Sequence, residues 1–327
     1  MSVLYVQKQG AKLTKSGGRI NVVYEEKVIN SLPNMKIDSI VLFGSIKITT
    51  PLIKWLLGQG IPVAFMTVNG QFCGKLTGKI NPDFVQRYRQ YQILSNPDNR
   101  LILTKKIISS KIKNTIDLLS VFNKRRKIFL VETAIDRLNE NLEKIITAQE
   151  INVIRGIEGN SAKIYFSVFG KLINPDSLIF NYREKRGAKN PINSMLNYNY
   201  GVLLNFIISL IEMAGLDPYQ GIFHSPRYNR PSLALDLMEN FRSICDRIVL
   251  TLINKNMVDF DNFDFDNHDY VLISPKTRQL MLEYFEKKLG ITSCYIESNP
   301  VMHQIRSLQH FIKGKSENFE SYEIVRV

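Results

Sequence analysis

The sequence predicts an α+β fold, with a small N-terminal β domain followed by a larger all-α C-terminal domain. Two observations on the 327-residue chain support this prediction. Short β-branched and apolar segments separated by turn residues dominate residues 1–80, which is typical of strands. Apolar residues at helical spacing begin at Phe84, which is typical of amphipathic helices. The domains are therefore predicted at 1–80 and 96–327, with a linker and first helix at 81–95.

Turn and cap residues define the elements of the β domain. Gly17-Gly18 indicates a turn, and Asn69-Gly70 is the strongest hairpin signal in the chain. Thr50 as N-cap and Pro51 at the first helical position predict a short helix that closes at Gly58. No histidine or cluster of carboxylates occurs in residues 1–80, so we expect no catalysis there. The predicted strands are Ser2–Val6, Arg19–Tyr24, Ile37–Phe43, Ile61–Met66 and Gln71–Leu76. The predicted hairpin turn joins Val63–Val68 to Gln71–Leu76.

The C-terminal region contains one helix that is apolar almost all round, Ser194–Met213, with Asn193 as its predicted cap. A helix of this kind belongs in a core. Its longest apolar run, Val202–Ile211, is too short to span a bilayer and is broken by Asn205. The N-terminus lacks the basic and apolar regions of a signal peptide. We therefore expect a cytoplasmic protein with no membrane partner.

The net charge of +13 and the pI of about 9.5 indicate a polyanionic partner, nucleic acid before an anionic membrane surface. A merely soluble basic protein is the alternative. The three cysteines are scattered and form no CxxC pair, so neither a disulfide framework nor a zinc knuckle is indicated. Cys245 lies on an apolar helical face and is predicted to be in the core.

Two basic segments are candidate nucleic-acid surfaces. Leu101–Leu130 contains eight Lys or Arg residues against one acid, Asp117, with an apolar stripe opposite. The loop Phe180–Pro191 interleaves Arg, Lys and Tyr, a composition that pairs with phosphates and stacks on bases. A plain solvated face is the alternative. The candidate nucleic-acid-binding residues are Lys105, Lys106, Arg125, Arg126, Tyr182, Arg183, Arg186 and Arg227.

The candidate chemistry centres on His224, in a polar loop, and on Asp236 and Glu239, at i and i+3 on the helix that follows. Glu158, between two glycines on another predicted helix, is a further carboxylate that a ligand can approach closely. Two or three carboxylates with one imidazole suit Mg²⁺ or Mn²⁺, and such an ion activates phosphodiesters. The alternatives are a backbone-bonded buried His224, a solvated helix face for Asp236 and Glu239, and a surface Glu158.

Other acidic and histidine positions are weaker candidates. The acid-rich stretch Asp259–Asp269 lacks the glycine and glutamate of an EF-hand loop. Its phenylalanines predict a packed turn or strand instead of a calcium site. His303 and His310 are seven residues apart, too far for shared ligation, and His268 is isolated. These three histidines are predicted to be structural or surface residues.

Three motifs follow one another in this chain: Gly156-x-Glu158-Gly159-x-x-Ala162-x-x-Tyr165-Phe166, then Asn190-Pro191-Ile192-Asn193 with Leu196, Tyr200 and Leu203-Leu204, then His224-Ser225 with Ser232-Leu233-Ala234-Leu235-Asp236-Leu237-Met238-Glu239-x-Phe241-Arg242 and Asp246. Together they resemble the CRISPR-associated integrase/endonuclease family of the spacer-acquisition (adaptation) complex. The resemblance covers nearly the whole chain. Three positions depart from the family pattern without touching a proposed ligand: Ser194, Asn199 and Ser243.

The resemblance implies a β domain that mediates homodimerisation and a helical catalytic domain. It implies Mg²⁺ or Mn²⁺ bound by Glu158, His224 and Glu239, with Asp236 as a secondary ligand or a supporting group. The implied activity is metal-dependent cleavage of double-stranded and branched DNA and integration of spacers, in which 3′-hydroxyls attack repeat phosphodiesters. The implied partner is a small ferredoxin-like adaptation subunit. The rival interpretations are a non-catalytic nucleic-acid-binding scaffold and an RNA-processing nuclease.

Overall fold

A computed structural model of the protein describes residues 3–33, 37, 39–67, 72–78, 84–174, 179–185, 187–260, 263–267, 269–289 and 299–324. The chain divides into two compact units. The first, which we call the β unit, comprises Met1–Asp83 with Glu286–Met302. The second, the helical unit, comprises Phe84–Phe285 with His303–Val327. Strands followed by a mostly helical region confirm the predicted α+β class.

The described part of the β unit contains two four-stranded sheets and a short helix. The first sheet has the order β1-β5-β7-β8, with β1, β5 and β7 parallel and β8 antiparallel to β7. The second has the order β4-β3-β2-β6. The elements are β1 (Val3–Val6), β2 (Lys12–Ser16), β3 (Arg19–Tyr24), β4 (Lys27–Pro33), β5 (Ser39–Phe43), β6 (Lys47–Ile48), α1 (Thr50–Gly58), β7 (Val63–Met66) and β8 (Phe72–Leu76).

One apolar core joins the two sheets of the β unit and α1. Ile40 and Leu42 of the first sheet and Leu13 and Ile20 of the second are at most 1% exposed and belong to the same cluster. Leu56 of α1 completes it. Burial of such side chains contributes about 1.5–3 kcal/mol each, so this unit is stabilised mainly by apolar contacts.

The predicted β region is confirmed, but its strand assignment was incomplete. Lys12–Ser16, Lys27–Pro33 and Lys47–Ile48 were not predicted as strands. Their lysines and polar residues hide the period-two pattern, and β4 is largely exposed. Gly17-Gly18 does form a turn, since Ser16 pairs with Arg19 across it. Asn69-Gly70 lies outside the described residues.

Two predicted helix caps are each displaced from their true position. The cap of α1 is Thr49, and its side chain makes no capping hydrogen bond. The cap of the long apolar helix is Asn190, whose side chain accepts a hydrogen bond from the backbone N–H of Asn193. Pro191 is then the first helical residue, where its missing N–H costs nothing. The prediction of Asn193 as cap was therefore wrong by three residues.

The helical unit is built mainly from helices, and in its described ranges β9 (Asp264–Phe265) pairs with β10 (Val271–Leu272) as a small hairpin. The stacked rings of Phe260 and Phe263 fit the packed turn predicted for the acid-rich stretch, whereas Phe265 in β9 is 63% exposed. The helices after α1 are α2 (Phe84–Ser95), α3 (Pro97–Asn123), α4 (Phe129–Thr147), α5 (Ile151–Phe169), α6 (Pro191–Met213), α7 (Ser232–Met238), α8 (Arg242–Asn254), α9 (Pro275–Leu289) and α10 (Pro300–Ile312). The last residues of α9 and the first of α10 belong to the β unit.

Two packing relations position the site. The long helix α3 packs against α4, α5 and α8, and against the 3-10 turn Glu239–Phe241 that separates α7 from α8. The apolar helix α6 packs against α7 and α8. Its segment Pro191–Glu212 is long and apolar enough to cross a membrane, but 61% of its most apolar window is buried inside the protein. We therefore interpret α6 as a core helix.

Candidate active site

The carboxylate of Asp236 organises the loop that carries His224. Its Oδ2 accepts the backbone N–H groups of Ile222 and Phe223 at 2.6 and 3.0 Å. Its Oδ1 accepts the backbone N–H of His224 at 2.9 Å and lies 2.6 Å from the Nδ1 of the same residue. A side chain on Gly221 would collide with Ser232 and with the carbonyl oxygen of His224. Glycine at this position therefore lets the loop pack closely against Ser232 and Asp236.

These contacts decide which nitrogen of His224 is available. A carboxylate oxygen accepts hydrogen bonds, so the contact with Asp236 Oδ1 engages Nδ1 as a donor and leaves Nε2, on the other side of the ring, as the nitrogen that can meet a ligand. The four donors occupy the acceptor positions of the Asp236 carboxylate. Asp236 is completely buried, so the alternative of a solvated helix face is wrong for this residue. The structure makes it the partner that orients His224.

Glu239 points to a different place from Asp236 although the two residues are one turn apart. The predicted continuous helix is interrupted here, because α7 ends at Met238 and Glu239 begins a 3-10 turn. Glu239 is only 5% exposed, so it too is not on a solvated face. Its Oε2 accepts from Arg242 Nε at 2.9 Å and lies 2.6 Å from Lys111 Nζ.

Lys111, on α3, links Glu239 to Glu158 on α5. The ammonium of Lys111 forms ion pairs with both glutamates. Glu158 is partly buried, with a side chain that is 23% exposed, so it is not a simple surface glutamate. A Cβ on Gly156 or Gly159 would meet nothing within 4 Å, which leaves open space beside Glu158.

The buried charges of Glu239 and Lys111 stabilise each other. Burial alone would raise the pKa of Glu239, but the positive charges of Arg242 and Lys111 outweigh it and lower this pKa to about 2. Burial likewise acts to lower the pKa of Lys111, while Glu239 and Glu158 raise it above its usual value. Glu239 is therefore a carboxylate and Lys111 an ammonium at neutral pH.

The predicted ligands Glu158, His224 and Glu239 line one cavity of about 480 Å³, together with Lys111 and Arg242. Within the ranges that the structure describes, no three His, Cys, Asp or Glu side chains already form a metal-binding group. Lys111 lies between the two glutamates. The donor set itself, two carboxylate groups and an imidazole nitrogen, fits a hard or borderline divalent cation.

A buried hydrogen-bonded group forms another wall of the cavity. Asp246 accepts from the hydroxyls of Tyr165 and Tyr200 at 2.8 and 2.5 Å. The guanidinium groups of Arg183 and Arg242 lie over the Tyr200 ring, 5.2 and 4.7 Å from its centroid. Burial raises the pKa of Asp246, and the two tyrosine hydroxyls and the arginines oppose this. The wall therefore offers fixed cations and aromatic faces to an occupant.

Most of the predicted nucleic-acid-binding residues in the basic segment Leu101–Leu130 have partners within the protein. Lys105 donates to the carbonyl of Ile146, and Lys106 to Asn318 and the carbonyl of Phe319. Arg126 donates to the carbonyls of Lys171 and Ile173. Their basic groups therefore also serve to hold chain segments together.

The remaining candidates fall into three groups. Arg125, Tyr182 and Arg227 are exposed. Arg183 lines the cavity and donates to Asn197 at 2.6 Å. Arg186 lies outside the described residues. Only Arg183 of the eight is found beside the candidate ligands, since the other described candidates do not line their cavity.

Sequence reasoning missed Lys111 and Arg242 as members of the site. Lys111 was counted only within the basic segment. Its spacing carried a signal, because it lies three and four residues after Ile108 and Ile107 and therefore on the apolar stripe of α3. Arg242 follows Glu239 at i+3, a spacing that allows an ion pair on a helix.

Comparison with known proteins places these observations in context. The sequence matches the family CRISPR associated protein Cas1 over residues 4–287. One relative is the CRISPR-associated endonuclease Cas1 3 of Thermus thermophilus. It is 33% identical over 293 residues, which are 89% of this chain and 85% of that protein.

Two solved structures share the fold. A casposase bound to integration product gives a TM-score of 0.80 at 24% identity, over 100% of this chain and 96% of that one. A chain of a Cas6-RT-Cas1--Cas2 complex gives a TM-score of 0.82 at 19% identity, over 99% of this chain and 36% of that one. At these identities the likeness concerns the fold alone.

Proposed function

The chain belongs to the CRISPR associated protein Cas1 family, and from this membership we propose that it is a divalent-metal-dependent DNA endonuclease and integrase. In this proposal it inserts spacer DNA into CRISPR arrays, with 3′-hydroxyls attacking repeat phosphodiesters. The observation that carries the proposal is the convergence of Glu158, His224 and Glu239, from three separate segments, on one cavity with basic walls.

In the proposal Glu158, Glu239 and Nε2 of His224 hold Mg²⁺ or Mn²⁺, which would polarise the scissile phosphodiester when bound. Asp236 fixes the imidazole of His224 through Nδ1, so that Nε2 lies on the opposite side of the ring from this hydrogen bond. Arg242 and Arg183 neutralise phosphate charge from the wall of the cavity. Tyr200, held by Asp246, fixes the position of both guanidinium groups.

Substrate and partners follow from the relatives. The name of the Thermus thermophilus relative describes an endonuclease, and one structural neighbour is a casposase bound to its integration product. Another neighbour contains a Cas1--Cas2 complex. We propose double-stranded and branched DNA as substrates, a small ferredoxin-like subunit as the partner, and homodimerisation through the β unit. The net charge of +13 favours a polyanionic substrate.

The test compares three single variants, Glu158→Ala, His224→Ala and Glu239→Ala, with Glu140→Ala, an exposed glutamate on α4. We expect Mn²⁺-dependent cleavage of branched DNA to fall to background in the three variants and to persist in the control. DNA affinity at fixed salt should change little, because a polyanion is held mainly by cations elsewhere.

Two results would contradict this proposal. Undiminished cleavage in all three variants, with folding verified by circular dichroism, would show that the chemistry lies elsewhere. DNA binding without cleavage by the wild-type protein at any Mg²⁺ or Mn²⁺ concentration would favour a scaffold. A parallel panel of RNA substrates tests the remaining rival, since cleavage of RNA alone would indicate an RNA-processing nuclease.

A further inference from the structure

We propose that Lys111 is a built-in counter-cation of the site, whose ammonium occupies the space between Glu158 and Glu239 and must withdraw when a divalent cation binds. Lys111 would thus set the metal affinity of the protein. The inference rests on the proposed function, because it presumes that these two glutamates are metal ligands. It goes beyond that function by giving the site an internal competitor.

The geometry provides the first argument. The ammonium of Lys111 pairs with Glu158 and, at 2.6 Å, with Oε2 of Glu239. Both carboxylates therefore direct an oxygen at one cation. A divalent ion bound by the same oxygens at the short distances typical of Mg²⁺ would occupy space that the ammonium now fills. Simultaneous occupation is sterically and electrostatically excluded.

The charge balance provides the second argument. Glu158, Glu239, Lys111 and Arg242 together carry no net charge, and Asp236 is already satisfied by four donors. A neutral cluster attracts a divalent cation weakly, whereas withdrawal of the ammonium leaves an uncompensated carboxylate for it. Arg242 does not substitute for Lys111, because it contacts Glu239 and lies over the Tyr200 ring.

The environment of Lys111 allows the movement. Its side chain is 15% exposed, and it lines the same cavity of about 480 Å³ as both glutamates. A lysine has a flexible four-carbon stem, so the ammonium can leave the glutamates and remain in the polar part of this cavity. The apparent affinity for metal is then the intrinsic affinity reduced by the fraction of molecules in which Lys111 has withdrawn.

The first test measures Mn²⁺ binding by electron paramagnetic resonance in metal-free protein at neutral pH. Lys111→Met keeps an unbranched side chain of nearly the same length and removes the charge, and we expect about tenfold tighter binding or more, a difference of about 1.4 kcal/mol. Lys111→Arg keeps the charge and should stay near the wild type. Lys113→Met is the matched control, since Lys113 lies on the same helix and pairs with exposed Glu323 at 2.9 Å.

The same titration on Glu239→Gln separates the two proposals. If Mn²⁺ binding depends on Glu239 but Lys111→Met binds Mn²⁺ no more tightly than the wild type, the proposed role of Lys111 is overturned. The metal site itself is then still supported. Absence of any Glu239-dependent Mn²⁺ binding, in wild type and Lys111→Met alike, overturns the metal site and this inference with it.

A second test needs no variant and covers the case in which Lys111→Met does not fold. Lysine acetylation of wild-type protein is followed by mass spectrometry with and without saturating Mn²⁺. We expect the labelling rate of Lys111 to rise several-fold when Mn²⁺ is bound, because its ammonium has left the two glutamates. Lys113 is the internal reference and should not change. An unchanged rate at Lys111 under saturation overturns the proposal.

Discussion

The two units of this protein bury different kinds of side chain. In the described β unit the core is apolar, and the buried polar residues there are Ser39 and Asn299. The described helical unit buries three carboxylates, Asp236, Glu239 and Asp246. Burial of an unpaired charge is costly, so the helical unit accepts a cost that the β unit avoids. The difference indicates that chemistry belongs to the helical unit and stability alone to the core of the β unit.

Each buried carboxylate offsets its desolvation in a different way. Asp236 uses backbone N–H groups and an imidazole, Glu239 uses two cations, and Asp246 uses two tyrosine hydroxyls. Among these three, Glu239 is the one paired with cationic side chains, whose role towards the carboxylate a divalent cation could take over. This distinction separates the group proposed to bind metal from the two that hold other side chains in place.

The largest expected effect on stability tests the β unit. Leu13→Ala removes a completely buried side chain and should lower the free energy of unfolding by about 2–5 kcal/mol. Lys12→Ala, on the exposed side of the same strand, should change it by less than about 0.5 kcal/mol. Urea unfolding measures both. A loss of cleavage rate per folded molecule in Leu13→Ala would contradict the separation of chemistry from the β unit.

A smaller, pH-dependent effect is expected for Glu239→Gln in metal-free protein. The pKa of Glu239 is lowered from 4.5 to about 2, so its contribution to stability is fully present above about pH 4.5 and is lost as the pH falls towards 2. The difference in unfolding free energy between wild type and variant should shrink over this window by about 3 kcal/mol.

Asp246 titrates in both proteins and cancels in that difference. The destabilisation by Leu13→Ala provides the contrast, because loss of apolar burial should not depend on pH in this way. Urea unfolding at pH values from 7 down to 2 measures both effects. A difference between wild type and Glu239→Gln that stays constant with pH would contradict the proposed pairing with Lys111 and Arg242.

The smallest effect compares one glycine from each unit. Neither Gly17 nor Gly159 has an atom within 4 Å of an added Cβ, but Gly17 has φ +54° and Gly159 is helical. Gly159→Ala should therefore stabilise by about 0.5–1 kcal/mol, whereas Gly17→Ala should destabilise by about 1 kcal/mol. Thermal unfolding measures the pair. If both substitutions changed the stability in the same direction, contacts and not backbone conformation would determine the effect.

Much of the site could be predicted from residue types and motif order. The sequence selected Glu158, His224 and Glu239, and the structure brings them to one cavity. It could not separate Asp236 from Glu239 by geometry, because helical spacing puts both on one face, whereas the 3-10 turn directs them to different partners. Strands β2 and β4 were missed because their pairing, not their composition, stabilises them.

The sequence by itself determined the α+β class, the positive net charge and the set of candidate ligands, since these follow from periodicity, charge and residue chemistry. Only the tertiary structure decided the partners of each charged group. Lys111 was one basic residue among eight on a segment, yet the packing of α3 against α5 and the turn at Glu239 places its ammonium between two glutamates. The physical reason is that a charge acquires its role from neighbours that are distant in the chain, and burial strengthens their interaction.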